Sequence, residues 1–264
     1  MIIKINQTKA NLKENYDVII DDQLAYTGLA SWVSALCSTK LLDQNGDLIL
    51  ESHFLPFEEL KNSIPFKWTW SERQTENHAV FDRGNKPIGL FYLAAQGLKE
   101  ELSEKRMVKY GNYELSLYPI NKGRNQYTPI FLGDTQIGQL DKDGFVEDNK
   151  DWYRLYLLDE YRDLAPILSL FVIYYDSYEY GNQGEVVAYS SDIHYEWTYS
   201  KYKKLYDPSW LPAHFKPVDD SKMLAQMSER FRKRVIVTLS IVFGGMALLA
   251  IVFVILWVAG AWPH

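Results

Sequence analysis

The chain has 264 residues, with 28 Lys and Arg against 34 Asp and Glu, and a formal net charge of −6. Of its residues, 47% are hydrophobic and 15% are aromatic, which excludes a disordered or low-complexity chain. The acidic balance argues against a nucleic-acid partner, and the single cysteine, Cys37, excludes a disulfide framework. No motif in the chain calls for a cofactor, and we expect none.

Residues 1–206 are predicted to form a mainly β domain, because short aromatic and β-branched runs alternate with turn residues. Between two such runs, Asn45-Gly46 predicts a hairpin with a type I′ turn, which needs a positive φ at both positions. Short helices are predicted in residues 27–37 and 98–109. This domain is expected to be followed by a Pro-containing linker over residues 207–220.

Two later hairpins resemble each other. A strand that ends at Asp82 is followed by a turn and then by Ile88-Gly89, and a strand that ends at Leu132 is followed by a turn and then by Ile137-Gly138. Glycine inside a strand usually marks a bulge or a sharp bend, and bends in returning strands are needed to close a sheet into a barrel. The alternative interpretation is two ordinary hairpins.

One segment, Asp163–Tyr175, is apolar on nearly every side. As a helix it would begin with Asp163 as N-cap and carry Pro166 in its first turn, where proline is tolerated. It is too short to cross a bilayer, and a helix that is apolar on every face must be enclosed. We therefore predict a closed barrel, or a strongly curled sheet, around one buried hydrophobic helix. A buried central strand is the alternative.

This order of elements resembles the tubby C-terminal-like superfamily, which includes phospholipid scramblases and LURP-one-related proteins. The likeness is carried by Leu42–Leu50, Val80–Gly89, Ile137-Gly138 and Asp163–Tyr175. It implies a closed antiparallel barrel around one hydrophobic helix and a membrane-linked or lipid-linked setting. It does not imply scramblase activity, because the palmitoylated cysteines and the acidic calcium segment of scramblases have no counterpart in this chain.

The strongest signal is Val235–Ala261, which has 27 residues and no charged side chain. As a helix rising about 1.5 Å per residue, it would reach roughly 40 Å, enough to cross a hydrocarbon core of about 30 Å. Trp257 and Trp262 lie near its far end, where indole rings favour the membrane–water boundary. We predict a transmembrane helix over residues 235–261 with the lipid bilayer as its partner. Ser240 and Gly244 form a small-xxx-small pair within it.

Before this helix, residues 221–234 are predicted to form a basic amphipathic juxtamembrane segment. The alternative is a plain helical extension of the span whose basic side chains reach back to the membrane surface. The positive side chains of this segment, called here the basic collar, are Lys222, Arg230, Arg232, Lys233 and Arg234. Positive residues stay on the cytoplasmic side of membranes, and the first twenty residues contain no signal-peptide pattern. The expected protein is therefore tail-anchored in the cell membrane by a single span, with its N-terminal domain in the cytoplasm. The collar is also a candidate site for anionic phospholipid.

The only metal-site candidate is the alternating set Asp192, His194 and Glu196, whose side chains would share one face of a strand. The alternative is the solvated outer face of an ordinary antiparallel sheet. Three functions follow from these observations. The first is a membrane-anchored, non-catalytic cytoplasmic binding module, with membrane proteins among its candidate partners. The second is a phospholipid-binding or lipid-handling protein, and the third is a metal-dependent enzyme.

Overall fold

The structure is a computed structural model of the chain. It describes residues 1–9, 13–31, 38–58, 73–95, 105–122, 125–142, 150–179, 200–216, 236, 237, 240 and 244. The chain forms two compact units, Met1–Lys216 and Pro217–His264.

The described residues of the first unit form thirteen strands in one antiparallel sheet. They are β1 (Ile2–Lys9), β2 (Lys13–Ile20), β3 (Gln23–Ser31), β4 (Ser38–Leu42), β5 (Leu48–Phe54), β6 (Arg73–Asp82), β7 (Pro87–Ala95), β8 (Arg106–Tyr110), β9 (Tyr113–Leu117), β10 (Ile120–Lys122), β11 (Asn125–Leu132), β12 (Thr135–Lys142) and β13 (Trp152–Leu157). Strands that are neighbours in sequence pair with each other, except β9 with β10, and β13 pairs with β1. Because β9 and β10 both pair with β11, the sheet closes into a barrel of 12 strands, and the predicted barrel is confirmed.

The barrel encloses a helix. A 3-10 helix, Asp159–Leu164, leads into α1, Ala165–Glu179, in which every residue except Pro166, Tyr178 and Glu179 is buried. Its apolar side chains form one core cluster with the inward side chains of the strands. The enclosed helix is therefore confirmed, and the central-strand alternative is wrong. The predicted N-cap is also wrong, because Asp163 lies inside the 3-10 helix that continues directly into α1.

The antiparallel order separates two kinds of connection. The turns β2–β3, β4–β5, β6–β7, β8–β9 and β11–β12 all lie at the end of the barrel where α1 begins, called here the hairpin end. The ends of the strands β1, β3, β5, β7 and β12 lie at the opposite end, where α1 finishes, called here the loop end. The segments that leave from these five strand ends lie wholly or largely outside the described residues.

The turn after β4 is a hairpin, as predicted, but its type differs from the prediction. Asn45 does not have a positive φ, whereas Gly46 does, at 84°. The Oδ1 atom of Asp43 accepts hydrogen bonds from the backbone N–H groups of Asn45 and Asp47, at 2.8 and 2.9 Å. This carboxylate cap determines the path of the turn, so that only one residue needs the left-handed conformation.

The paired glycines in the two similar hairpins lie beside bulges. Register shifts occur next to the pair of Val80 with Gly89 in β6–β7 and next to the pair of Ile130 with Gly138 in β11–β12. A Cβ atom added to Gly89 would lie 2.6 Å from a backbone oxygen of β8, and one added to Gly138 would lie 2.7 Å from a backbone oxygen of β13. Both glycines therefore allow neighbouring strands to approach at the bends that help to close the sheet.

Two predicted short helices are wrong where the structure describes them. Residues 27–31 belong to β3 and residues 106–109 belong to β8. In both places pairing with neighbouring strands overrides the local helical preference.

After α1, the described residues 200–216 include two short helices, α2 (Ser200–Lys203) and α3 (Trp210–His214). Aromatic side chains of this segment contact outward-facing rings of the barrel. The ring pairs are Tyr202 with Tyr118 at 4.9 Å, Tyr206 with Tyr127 at 4.8 Å and Phe215 with Tyr156 at 5.4 Å between centroids. Residues 207–216 of the predicted linker therefore belong to the first compact unit.

Most of the predicted transmembrane helix and all of the basic collar lie outside the described residues. Four positions of the predicted helix are described, and all four are helical: Ile236, Val237, Ser240 and Gly244. Ile236 and Val237 are 54% and 57% exposed. Within the residues that the structure describes, no helix combines the length and the apolar character needed to cross a bilayer.

We expect Gly89→Ala and Gly138→Ala each to lower the free energy of unfolding by about 1–3 kcal/mol, because the added methyl group meets backbone rather than a movable side chain. The measurement is urea unfolding of the full chain in detergent, followed by tryptophan fluorescence. The matched control is Gly84→Ala, whose Cβ would lie 3.3 Å from a side-chain oxygen in an exposed turn and should change stability by about 0.5 kcal/mol or less. Equal losses in all three variants would contradict the explanation.

Candidate functional site

The polar interior of the barrel is concentrated around the last turn of α1, at the loop end. Its centre is Asp176, which is 2% exposed. The Oδ1 atom of Asp176 lies 2.5 Å from the hydroxyl oxygen of Tyr153, and the Oδ2 atom lies 2.6 Å from that of Tyr16. The same Tyr16 oxygen lies 2.8 Å from Oε2 of Glu14, and it accepts a hydrogen bond of 3.3 Å from the amide of Gln7.

The strands position these groups by simple alternation. Glu14 and Tyr16 are two residues apart on β2, so both side chains point to the same face of the strand, which here is the inner face. Beside them, Lys142 at the end of β12 forms an ion pair of 3.2 Å with Asp151. The Nζ atom of Lys142 also lies 5.7 Å from the centre of the Tyr153 ring. The cluster therefore combines three carboxyl groups with one ammonium group.

Burial changes the proton affinity of this cluster. Removal from water raises the pKa of Asp176 well above its ordinary value, and the neighbouring carboxylate of Asp151 raises it further. Burial likewise raises the pKa of Glu14. Both effects favour the neutral carboxylic acid over the carboxylate.

A second ionic group fixes the end of α1 on the opposite wall. Arg106, at the start of β8, is 2% exposed and forms ion pairs with Glu76 of β6 and with Glu179, the last residue of α1. Glu76 lies at a bulge with a φ of 55°, an uncommon conformation for a residue with a side chain. A cation at the C-terminal end of a helix also interacts favourably with the helix dipole. Arg106 therefore holds the end of α1 against the wall of the barrel.

Between the two ionic groups lies a cavity of about 10 Å³. Its lining residues are Ser31, Ser38, Thr39, His78, Tyr174, Ser177 and Tyr178. His78 is 1% exposed, and within the described part of the chain neither of its ring nitrogens has a hydrogen-bond partner. Burial lowers the pKa of His78 to about 3, so the ring is neutral. The volume suits one water molecule, which could hydrogen-bond to His78 and to the hydroxyl of Tyr174.

The described residues of this cluster are not among the site residues predicted from the sequence. The metal candidates Asp192, His194 and Glu196 lie outside the described residues, as does the basic collar. Among the described residues, no group of three or more His, Cys, Asp or Glu side chains could hold a metal ion.

Sequence reasoning also missed the buried polar residues themselves. The signal that could have found Glu14 is its place on the same strand face as Tyr16 and Val18, which is otherwise apolar. The signal for Asp176 is its place directly after a run of apolar helical residues. A charged residue inside an apolar pattern is expensive to bury and needs a specific partner.

Comparisons of the chain with protein-family models, with curated proteins and with solved structures find no match. The roles of the residues at the loop end therefore follow from their geometry and chemistry. Glu14, Asp176, His78 and Arg106 are each at most 2% exposed. In this arrangement these groups can hold α1 in place and bind a water molecule, but they are buried and do not face a substrate in solution.

Arg106→Met should lower the free energy of unfolding by about 3–5 kcal/mol, because it leaves two carboxylates at the loop end without their buried cation. Adding Glu76→Gln and Glu179→Gln to this variant should restore part of the loss. The control is Arg83→Met at the hairpin end, where the ion pair with Asp47 is exposed and should contribute about 0–1 kcal/mol. Urea unfolding of the full chain compares these three variants with the unchanged chain. A loss of stability in Arg106→Met that is no larger than the loss in the control would refute a clamping role for Arg106.

Proposed function

We propose that this chain is a membrane-anchored, non-catalytic interaction module whose barrel, of the tubby C-terminal-like type, lies on the cytoplasmic side. The observation that carries the proposal is that α1 fills the barrel: its side chains and the inward side chains of the strands form one continuous core. A filled barrel presents its outer surface and its ends to other molecules. Tethering such a domain raises its effective concentration near membrane partners without new contacts.

The same observation makes the lipid-handling alternative less favourable. Barrels that carry a ligand inside need an interior cavity of roughly the ligand's size, commonly about 300–1,000 Å³ for a small molecule. The cavity beside His78 has about 10 Å³. This cavity is therefore too small for a phospholipid, and the basic collar is the part of the sequence best suited to a phospholipid headgroup.

The third candidate function, a metal-dependent enzyme, has less support than the lipid-handling function. Its candidate ligands, Asp192, His194 and Glu196, lie outside the described residues. Two of the buried ionisable groups in the described part of the barrel, Asp176 and Arg106, are engaged with partners that hold α1 in place. This arrangement favours a structural role over catalysis for those groups.

The membrane anchor is supported by the sequence of residues 235–261 and by one local contact. The hydroxyl of Ser240 donates a hydrogen bond of 2.8 Å to the backbone oxygen of Ile236, one helical turn earlier. A polar side chain satisfied within its own helix is compatible with a hydrocarbon environment, where an unpaired hydroxyl would be costly. The basic collar before the span favours an orientation with the barrel in the cytoplasm.

The anchor is tested by placing charges in the middle of the predicted span. We expect the full chain to stay in the membrane pellet after carbonate washing, and the variant with Leu248→Arg and Val252→Arg to be released. Each arginine at the centre of a span costs about 2.5–3.5 kcal/mol of insertion free energy. The matched control, with Leu248→Ile and Val252→Ile, should remain in the pellet.

Release of the unchanged chain by carbonate would refute the anchor. The orientation is read separately: a protease added outside intact cells should leave the barrel undigested. Digestion of the barrel by that protease would refute the cytoplasmic placement while leaving the anchor standing.

A further inference from the structure

The cluster around Asp176 contains more short oxygen–oxygen contacts than its hydroxyl groups have hydrogen atoms. Three contacts follow one another, from Glu14 to Tyr16, from Tyr16 to Asp176 and from Asp176 to Tyr153, at 2.8, 2.6 and 2.5 Å. Each tyrosine hydroxyl has one hydrogen to donate, and an ionised carboxylate has none. Two hydrogens cannot fill three hydrogen bonds, so one further proton is needed, and only a carboxyl group can carry it.

We propose that Glu14 and Asp176 share one proton at neutral pH, and that this proton holds the last turn of α1 in its position inside the barrel. The amide of Gln7 already donates to the Tyr16 oxygen, so the hydroxyl hydrogen of Tyr16 points to one of the two carboxyl groups. The other carboxyl group must then be protonated and donate to Tyr16. Loss of the shared proton to water would break one of the three hydrogen bonds.

The surrounding charges explain why the proton is retained. The titratable and charged groups that face the pair are Tyr16 on β2, Lys142 on β12, Asp151 directly before β13, and Tyr153 on β13. With both carboxyl groups ionised, three negative charges would face the single ammonium of Lys142. A negative charge in the last turn of a helix is also unfavourable, because the helix dipole is negative there. Burial raises the pKa of both acids.

The consequence is that the stability of α1 in its position inside the barrel depends on pH. The folded chain would hold one proton more than the unfolded chain, in which ordinary carboxyl groups are ionised at neutral pH. Stability must then fall as pH rises above the unfolded carboxyl pKa, and it stops falling only above the pKa of the folded pair. For one proton the folding equilibrium constant falls up to tenfold per pH unit, which is about 1.4 kcal/mol.

The pH window has to avoid other groups that titrate. Burial raises the pKa of Asp141 to about 6 and lowers that of His78 to about 3. The contributions of both change little above about pH 7, where unfolded histidine is also neutral, and ordinary tyrosine titrates only near about pH 10. Unfolding should therefore be measured between about pH 7 and about pH 8.5, with the full chain in detergent. The result is read as the difference between each variant and the unchanged chain, because titrating groups that both contain then cancel.

The decisive variants replace one acid by its amide. In Asp176→Asn the side-chain amide can donate to Tyr16 and its oxygen can accept from Tyr153, which reproduces the protonated acid without a titratable proton. Glu14→Gln supplies the missing hydrogen from the other side of Tyr16. We expect each variant to fold and to lose the pH dependence seen in the unchanged chain. The matched control, Asp22→Asn, removes an exposed carboxylate and should keep that dependence.

A spectroscopic measurement separates the shared proton from a merely structural role. The infrared carbonyl absorption of a protonated carboxylic acid should be present in the unchanged chain at about pH 7. It should be weaker by one carboxyl group in each amide variant, because the protonated fraction of Asp141 is common to all three proteins. Absence of this absorption from the unchanged chain would overturn the proposal. So would unfolding that is independent of pH in the unchanged chain, or an equally steep dependence in both amide variants.

Discussion

The apolar surface of α1 is the constraint on which the rest of the structure depends. A helix that is hydrophobic on every side has to be enclosed, and the thirteen strands enclose it by closing their sheet. The fit is close: a Cβ atom at Gly28 would lie 2.3 Å from Cδ1 of Ile173. The bulges beside Gly89 and Gly138 supply bends for the closure. The fit between helix and wall therefore requires glycine at position 28, whereas the close approach of neighbouring strands requires it at positions 89 and 138.

Enclosing a helix creates a second requirement at the end where it finishes. Helix C-termini leave backbone oxygens without partners, and here Asp176 and Glu179 carry carboxyl groups into the same region. Such groups are costly to remove from water unless they are paired. The wall supplies hydroxyl groups at Tyr16 and Tyr153 and a guanidinium group at Arg106. The polar layer at the loop end is thus a consequence of the buried helix, and its chemistry follows from that position.

Much of the fold could be predicted from the sequence because its main signals are local. The apolar character of α1, the hairpin at Asn45-Gly46 and the two Ile-Gly pairs are each visible within about ten residues. One error came from a side-chain contact within the turn itself, and another came from pairing between strands. The carboxylate of Asp43 reshaped the turn at Asn45, and pairing with neighbouring strands overrode the helical preference of residues 106–109.

The buried site was harder to predict because it joins residues that are far apart in the chain, such as Tyr16 and Asp176, separated by 160 positions. Alternation along a strand shows which side chains share a face, but only the register of the closed sheet shows which face is enclosed. Polar residues that point inward here serve the helix. Residues that recognise a partner should therefore be sought outside the barrel wall and in the segments that leave from the loop end, because the described side chains of the core are buried.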